Sequence, residues 1–249
     1  MSDFNRGIPR TATAPAADMS VDAGLRSFML GVFNKVALGL VISAGMAYLT
    51  GVYPPVRDLM FNVRPDGRYS LTGLGMVVAF APLLVILFSN FSRSVTPRSS
   101  GIVYWLVVAL IGASLGSVVL LYTNESIATT FMVTAAAFGA LSLVGYTTKR
   151  DMTGFGNFLI MGLVGLLIAL VVNMFLQSTM MQFIINCAGV LIFAGLIAYD
   201  TQRLKMTYYR IGGNETALGV ATNYGALNLY LDFINLFRFL LMFMGGGRR

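Results

Sequence analysis

Long apolar stretches separated by short polar segments make up most of the chain after residue 26. A helix needs about 20 consecutive apolar residues to cross the hydrocarbon core of a bilayer, and each stretch is close to that length. We predict seven helices, at residues 27–49, 71–91, 101–122, 127–147, 155–177, 182–203 and 221–244. The pattern therefore predicts an all-α fold, namely a polytopic membrane protein with seven transmembrane helices.

The polar segments define the expected domain organisation. Residues 1–26 lack the basic start and short apolar core of a secretory signal, so we predict a disordered cytoplasmic tail. Residues 27–244 form the predicted transmembrane domain, and residues 245–249 form a short basic C-terminal tail. Most connections are short, but 50–70 and 204–220 are predicted to be longer loops, with a Pro-Pro turn at 54–55 and a Gly-Gly-Asn turn at 212–214.

The composition supports this assignment. Hydrophobic residues make up 57% of the chain and charged residues 11%, whereas a soluble domain has about 25% charged residues. Basic residues are more numerous in the segments on the side of the N-terminus, so we predict a cytoplasmic N-terminus and an external C-terminus. The net charge of +7 is then explained by cytoplasmic loops, and no nucleic-acid partner is expected. One cysteine and no histidine argue against a disulfide framework, a zinc site and histidine-based catalysis.

The last apolar stretch carries a polar stripe. Tyr224, Asn228, Asp232 and Asn235 are spaced four, four and three residues apart, so they fall on one face of a helix. A carboxylate at the centre of a membrane helix costs roughly 2.5–3.5 kcal/mol on insertion scales. We therefore expect this helix to lie inside a bundle, with its polar face away from lipid.

A second carboxylate, Asp200, lies near the end of the sixth predicted helix. One interpretation is an ion pair with Arg203, one turn later on nearly the same face. The other is that Asp200 meets Asp232 on the adjoining antiparallel helix. Two carboxylates in one partly buried site do not ionise together easily, so this pair is expected to share one proton and to titrate as a unit. Ca²⁺ is a candidate ligand, since carboxylate and amide oxygens suit it.

Two other charges fall within predicted spans. Lys35 and Arg238 each lie about two turns from a helix end, so we predict that both side chains extend to the membrane surface. Small residues four positions apart, Gly112 with Gly116 and Ala135 with Gly139, predict close packing between helices of the same chain.

Two membrane aspartates also suggest an intramembrane aspartyl protease. Tyr199-Asp200 matches half of that signature, but the Gly-x-Gly-Asp half is absent, because Leu229-Tyr230-Leu231 precedes Asp232. The sequence also lacks a phosphate-binding glycine loop and a nucleophile elbow. We therefore expect no enzymatic activity.

Two motifs resemble the transmembrane Bax inhibitor motif family, in its bacterial branch. They are AYDTQRLK at 198–205 and LNLYLDFINLFRFLL at 227–241, and the segment from Asn124-Glu125-Ser126 to GYTTKRD at 145–151 is also similar. The likeness covers all seven predicted spans. It implies seven helices with the last one central among six others, and a location in the bacterial inner membrane.

The resemblance also implies a function. Members of this family form a pH-sensitive Ca²⁺ leak in which two aspartates act as the sensor, here Asp200 and Asp232 by motif. In this family a basic residue at the end of the second helix stabilises the closed state of the aspartate pair. The resemblance implies Arg93 for this role, with Arg203 as a rival. Some members have an assisting acid on the second helix, but residues 71–92 contain none, and Pro82 predicts a kinked or broken helix there. Ca²⁺ is expected as a permeant or weakly bound ion, with no resident cofactor.

Two alternative functions stay open from the sequence. Relatives are linked to the control of membrane proteases and of cell death, which implies a membrane interaction protein that regulates a membrane protease or a stress response. The exposed N-terminal tail is the local feature that suits this role. The other alternative, a proton-coupled transporter, would need a substrate pocket built around the same two carboxylates.

Overall fold

The computed structural model describes residues 23–63, 69–89 and 95–246. Nine helices and one hairpin make up the described chain. In chain order they are α1 (Ala23–Val52), α2 (Pro54–Met60), β1 (Phe61–Val63), β2 (Tyr69–Leu71), α3 (Gly73–Ser89), α4 (Pro97–Ser114), α5 (Gly116–Leu121), α6 (Asn124–Thr147), α7 (Thr153–Leu176), α8 (Thr179–Ile211) and α9 (Glu215–Met244). The fold is all-α apart from this small antiparallel hairpin, in which Asn62 pairs with Ser70.

Six helices are long and apolar enough to cross a membrane. They are α1, the combined stretch Pro97–Leu121, and α6, α7, α8 and α9. The remaining predicted span corresponds to α3, a shorter apolar helix of 17 residues. Helix α3 continues through Pro82, so the second predicted helix is not broken there. The predicted tail at 1–26 lies outside the described residues except for 23–26, which belong to α1.

The connection predicted at 204–220 is wrong. Helix α8 continues to Ile211 and α9 begins at Glu215, which leaves three residues between them. Gly212 and Gly213 take positive φ angles of 63° and 85° and end α8, and the side chain of Asn214 caps α9 by accepting from the backbone N–H of Ala217. Hydropathy marks where a helix leaves the apolar layer, but the hydrogen-bonded helix continues into the polar region.

The described residues of the other predicted loop, 50–70, are also largely helical or extended. They include helix α2 and the strands β1 and β2, and Tyr53 and the following prolines start α2. The third predicted helix is interrupted, because α4 ends at Ser114 and α5 begins at Gly116. The structure within 50–70 and the break between α4 and α5 are local features of the backbone, and the number of apolar residues in a stretch does not predict them.

Close approach between α1 and the α4–α5 stretch depends on two small residues. A Cβ on Gly112 would lie 2.6 Å from the Cα atom of Ser43, and one on Gly116 would meet the side chain of Thr50. The Thr50 hydroxyl donates to the carbonyl of Ala113 at 2.9 Å, which ties the two helices at this point. Close intrachain packing was therefore predicted correctly for this pair. The same prediction of close packing was wrong for Gly139, where a Cβ would meet nothing within 4 Å.

Helix α9 contributes more to the core than the other long helices. In the most apolar 18-residue segment of α9, 56% of the residues are buried, against at most 39% in the corresponding segments of the other membrane-length helices. Helix α9 packs against α1, α4, α6 and α8. Its Tyr230 hydroxyl lies 2.6 Å from the Ser43 hydroxyl, which donates to the carbonyl of Val108 at 3.1 Å. These polar contacts between α1, α4 and α9 hold α9 in register within an apolar interior.

Candidate functional site

A cavity of 340 Å³ lies where α7, α8 and α9 meet, and both aspartates line it. Helix α8 contributes Asp200, and α9 contributes Asp232, Asn228 and Asn235. The opposite wall is apolar and comes from leucines of α7, at positions 163, 166, 167 and 170. The cavity therefore presents two carboxyl groups and two amides to a largely hydrocarbon surface.

The two carboxyl groups face each other closely. They are within hydrogen-bonding reach when one of them carries a proton. Asp232 is only 6% exposed, and its Oδ2 atom has no hydrogen-bond partner among the described residues. Asp200 is half-buried. An ionised pair in such a site is strongly disfavoured, so the geometry suits a pair that holds one proton between its members.

Glycines on the neighbouring helices allow α8 to sit where it does. A Cβ on Gly145 of α6 would clash with the carbonyl oxygen of Ala198, and one on Gly156 of α7 would clash with the ring of Tyr199. Both contacts are within two residues of Asp200. Helices α6 and α7 thus approach α8 on two sides of this carboxylate and fix its position.

Two buried polar residues of α8 were missed from the sequence. Gln202 accepts from the backbone N–H of Met152 at 2.8 Å and donates to the carbonyl of Arg150 at 2.7 Å. The Lys205 ammonium donates to the carbonyls of Tyr146 and Thr148, at 2.7 and 3.2 Å. They secure the α6–α7 connection just beyond Asp200. The signal was the run of polar residues at 200–203 followed by Lys205, but the predicted helix ended at residue 203, which assigned Lys205 to a loop.

Replacing Lys205 by Met is expected to lower the stability of the protein. The variant keeps the long apolar stem but leaves the last carbonyls of α6 without their cationic donor, at a cost of about 1–3 kcal/mol. Thermal unfolding of the purified protein in detergent measures the effect. Lys149→Met is the matched control, because Lys149 is exposed. An equal shift in both variants would contradict the role given to Lys205.

The structure describes one of the two arginines that were predicted to stabilise the closed aspartate pair. Arg203 is exposed and acts on Asp200 through its charge, but among the described residues no ion pair within 4 Å joins them. The simple Asp200–Arg203 ion pair, which the sequence left open, is therefore not formed. Arg93 lies outside the described residues.

The predicted polar face of α9 divides in the structure. Asn228 and Asn235 line the cavity with Asp232, as the helical spacing indicated. Tyr224 instead packs against the core cluster formed by α1, α4 and α9. A stripe that drifts around the helix meets different neighbours along its length, because four-residue steps advance slightly more than one helical turn.

The two charged residues predicted to extend to the membrane surface, Lys35 and Arg238, differ in burial. Lys35 is half-buried, and its ammonium donates to the side-chain oxygen of Asn223 on α9. Asn223 in turn donates to the carbonyl of Pro97 and the hydroxyl of Ser100, at 2.8 and 2.9 Å. Lys35 therefore belongs to an interhelical network, and the extension of its side chain to the membrane surface stays a prediction. Arg238 is exposed on α9.

The site has a limited capacity to hold a cation. In the described ranges no cluster contains three or more histidine, cysteine or acidic side chains. A Ca²⁺ ion in the cavity would meet two carboxylates and the amide oxygens of Asn228 and Asn235. Ca²⁺ prefers six to eight oxygen ligands, so water would complete its shell and binding would be weak.

Six helices long and apolar enough to cross a membrane define a multi-pass membrane protein, and an acidic pair lines a cavity between three of them. Residues 25–249 match the family described as inhibitor of apoptosis-promoting Bax1. The chain belongs to this Bax inhibitor family, as the two aspartate motifs indicated.

Similar proteins occur in several bacteria. An uncharacterized protein of Caulobacter vibrioides is 61% identical over 249 residues, which is the full length of both chains. Uncharacterized protein RP147 of Rickettsia prowazekii is 41% identical and covers 96% of this chain and 98% of its own. The inner membrane protein YbhL of Escherichia coli strain K12 is 40% identical, over 94% of this chain and 98% of its own.

Proposed function

We propose that this chain is a pH-sensitive Ca²⁺ leak of the bacterial inner membrane, gated by a proton shared between Asp200 and Asp232. The observation that carries the proposal is the facing pair of carboxyl groups in a cavity between three membrane helices. The family of the chain and the naming of YbhL as an inner membrane protein support the location. The protein is not an enzyme in this proposal and has no resident cofactor.

The proposed architecture has seven membrane helices, with α3 as the seventh. Helix α9 is the central helix, and its contacts with α1, α4, α6 and α8 support this. The N-terminus is cytoplasmic and the C-terminus external, in accord with the distribution of basic residues. In the closed state α9 plugs the bundle, held by the shared proton or by Arg93 paired with one aspartate, as the resemblance to the family implies.

Opening follows from loss of the shared proton. Two unit charges 4 Å apart repel each other by roughly 4 kcal/mol at an effective dielectric constant of 20. This repulsion, or the entry of Ca²⁺ between the carboxylates, moves α9 relative to α8 and opens a path through the cavity. Weak coordination suits passage of the ion, since conduction requires that a bound cation is released again.

Flux measurements test the proposal directly. The purified protein is reconstituted in liposomes that enclose a fluorescent Ca²⁺ indicator, and the external pH is varied from about 5 to 8, which lies above the usual pKa of a free aspartate. We expect Ca²⁺ influx above that of protein-free liposomes, with a rate that rises as the pH rises. Influx equal to that of protein-free liposomes at every pH would refute the leak.

A further inference from the structure

A second cavity lies on the outside of the bundle, between the first half of α1 and the second half of α6. It is a groove of 560 Å³, and it shares no lining residue with the aspartate cavity. Its floor is apolar, with Met29 and Phe33 from α1 and Phe138 from α6. Leu30 and Leu143 form its rims and are 51% and 62% exposed, so the groove opens toward the bilayer.

The groove has polar groups at one end. Arg26 and Tyr146 line it where α1 begins and α6 ends, and Arg26 is exposed. One turn deeper than Tyr146 is Ser142, which is 5% exposed and whose hydroxyl has no hydrogen-bond partner among the described residues. A buried helical serine or threonine ordinarily donates to the carbonyl one turn earlier, as Thr134 does to Thr130 at 2.7 Å. The Ser142 hydroxyl is left available to a ligand.

Most of the charges around this end are basic, although the acidic Asp151 also follows the end of α6. Among the described residues that line the groove, Arg26 is the charged one and none is acidic. Lys149 and Arg150 follow the end of α6, and the Lys205 ammonium lies 5.9 Å from the centre of the Tyr146 ring. A basic cluster at the end of a membrane helix attracts anionic lipid headgroups.

We propose that the groove is a binding site for an anionic glycerophospholipid. The phosphate is held by Arg26, an ester oxygen of the glycerol region accepts from Ser142, and one acyl chain fills the apolar floor. An arginine and a phosphate form strong charge-assisted hydrogen bonds, and an acyl chain against apolar side chains leaves no polar group unpaired. The volume of the groove is within the range of small-ligand sites, roughly 300–1,000 Å³.

Native mass spectrometry of the full-length protein in a non-ionic detergent tests this site. The protein is titrated with phosphatidylglycerol and, separately, with phosphatidylcholine that has the same acyl chains. We expect one phosphatidylglycerol to be retained with higher affinity than phosphatidylcholine. Arg26→Gln is expected to weaken phosphatidylglycerol binding about tenfold, as the loss of a charge-assisted contact predicts, and to remove the preference between the lipids. Ser142→Ala is expected to weaken both lipids by a few-fold.

Filling the groove provides an independent test. A Cβ on Gly139 meets nothing within 4 Å and Gly139 lines the groove, so Gly139→Leu puts a side chain into the acyl site without a clash in the bundle. We expect it to weaken the binding of both lipids. Gly165→Leu is the matched control, because Gly165 of α7 also has nothing within 4 Å and lies outside the groove.

Three results would overturn the assignment. The first is phosphatidylglycerol binding that Arg26→Gln and Gly139→Leu leave unchanged. The second is an equal loss in Gly139→Leu and Gly165→Leu, which would indicate general adhesion of lipid to the surface. The third is a dimer in the same spectra that disappears in Gly139→Leu without any change in bound lipid, which would assign the groove to a second copy of the chain.

Discussion

Asp232→Asn is expected to abolish the pH dependence of Ca²⁺ flux and to hold the protein in its closed state. Asn has the shape of a protonated Asp, so one member of the pair becomes permanently neutral and the charge repulsion on which the proposed opening depends is lost. An interaction of 1.4 kcal/mol corresponds to a tenfold change in a population, and the repulsion between two such charges exceeds it. Flux at the alkaline end of the range should therefore fall by at least about tenfold. The assay is the liposome measurement described above.

Asp200→Asn is expected to have the same effect, because in the proposed mechanism the two carboxyl groups share one proton. Asp151→Asn is the matched control. Asp151 lies between α6 and α7, and its Oδ1 accepts from the Thr153 hydroxyl at 2.6 Å and from the Thr153 backbone N–H at 2.9 Å. These hydrogen bonds hold the pKa of Asp151 below its usual range, so this group stays ionised across the assay and cannot supply the pH dependence. A pH profile that both aspartate variants leave unchanged would refute the gating mechanism.

Gly145→Ala is expected to destabilise the protein, although alanine is the better helix former. Its Cβ would clash with the carbonyl oxygen of Ala198, a backbone atom that cannot move aside without shifting α8. Overpacking of this kind costs about 1–3 kcal/mol. The displaced segment carries Asp200, so the flux of the variant should also lose its dependence on pH. Thermal unfolding in detergent and the liposome assay measure the two effects.

Gly139→Ala on the same helix is the control for this prediction. A Cβ at Gly139 meets nothing within 4 Å, so the variant gains only the helix propensity of alanine, about 1 kcal/mol over glycine. The same chemical change is thus expected to shift the unfolding temperature in opposite directions at two positions of α6. Equal shifts would show that the contact between Gly145 and Ala198 does not determine the position of α8.

Some features of the site could be predicted because they raise the free energy of a membrane helix. A carboxylate in an apolar stretch is conspicuous, so Asp200 and Asp232 were identified from their surroundings alone. The spacing of Asn228 and Asn235 placed them on the face of Asp232, and both line the cavity. The other features depend on partners that are distant in the chain. Lys35 bonds Asn223 across 188 residues, and no local pattern indicates that pairing.

The sequence by itself determined that this chain crosses a membrane as a helical bundle, because a chain with 57% hydrophobic residues in stretches of about 20 must satisfy its backbone within each helix. It also determined which two carboxylates, Asp200 and Asp232, lie within apolar stretches. The tertiary structure decided where α8 ends, which residues hold it, and that Gly145 packs against α8 while Gly139 borders an open groove. Glycines on one helix look alike in sequence, and only the neighbour that each one meets distinguishes a tight contact from an empty surface.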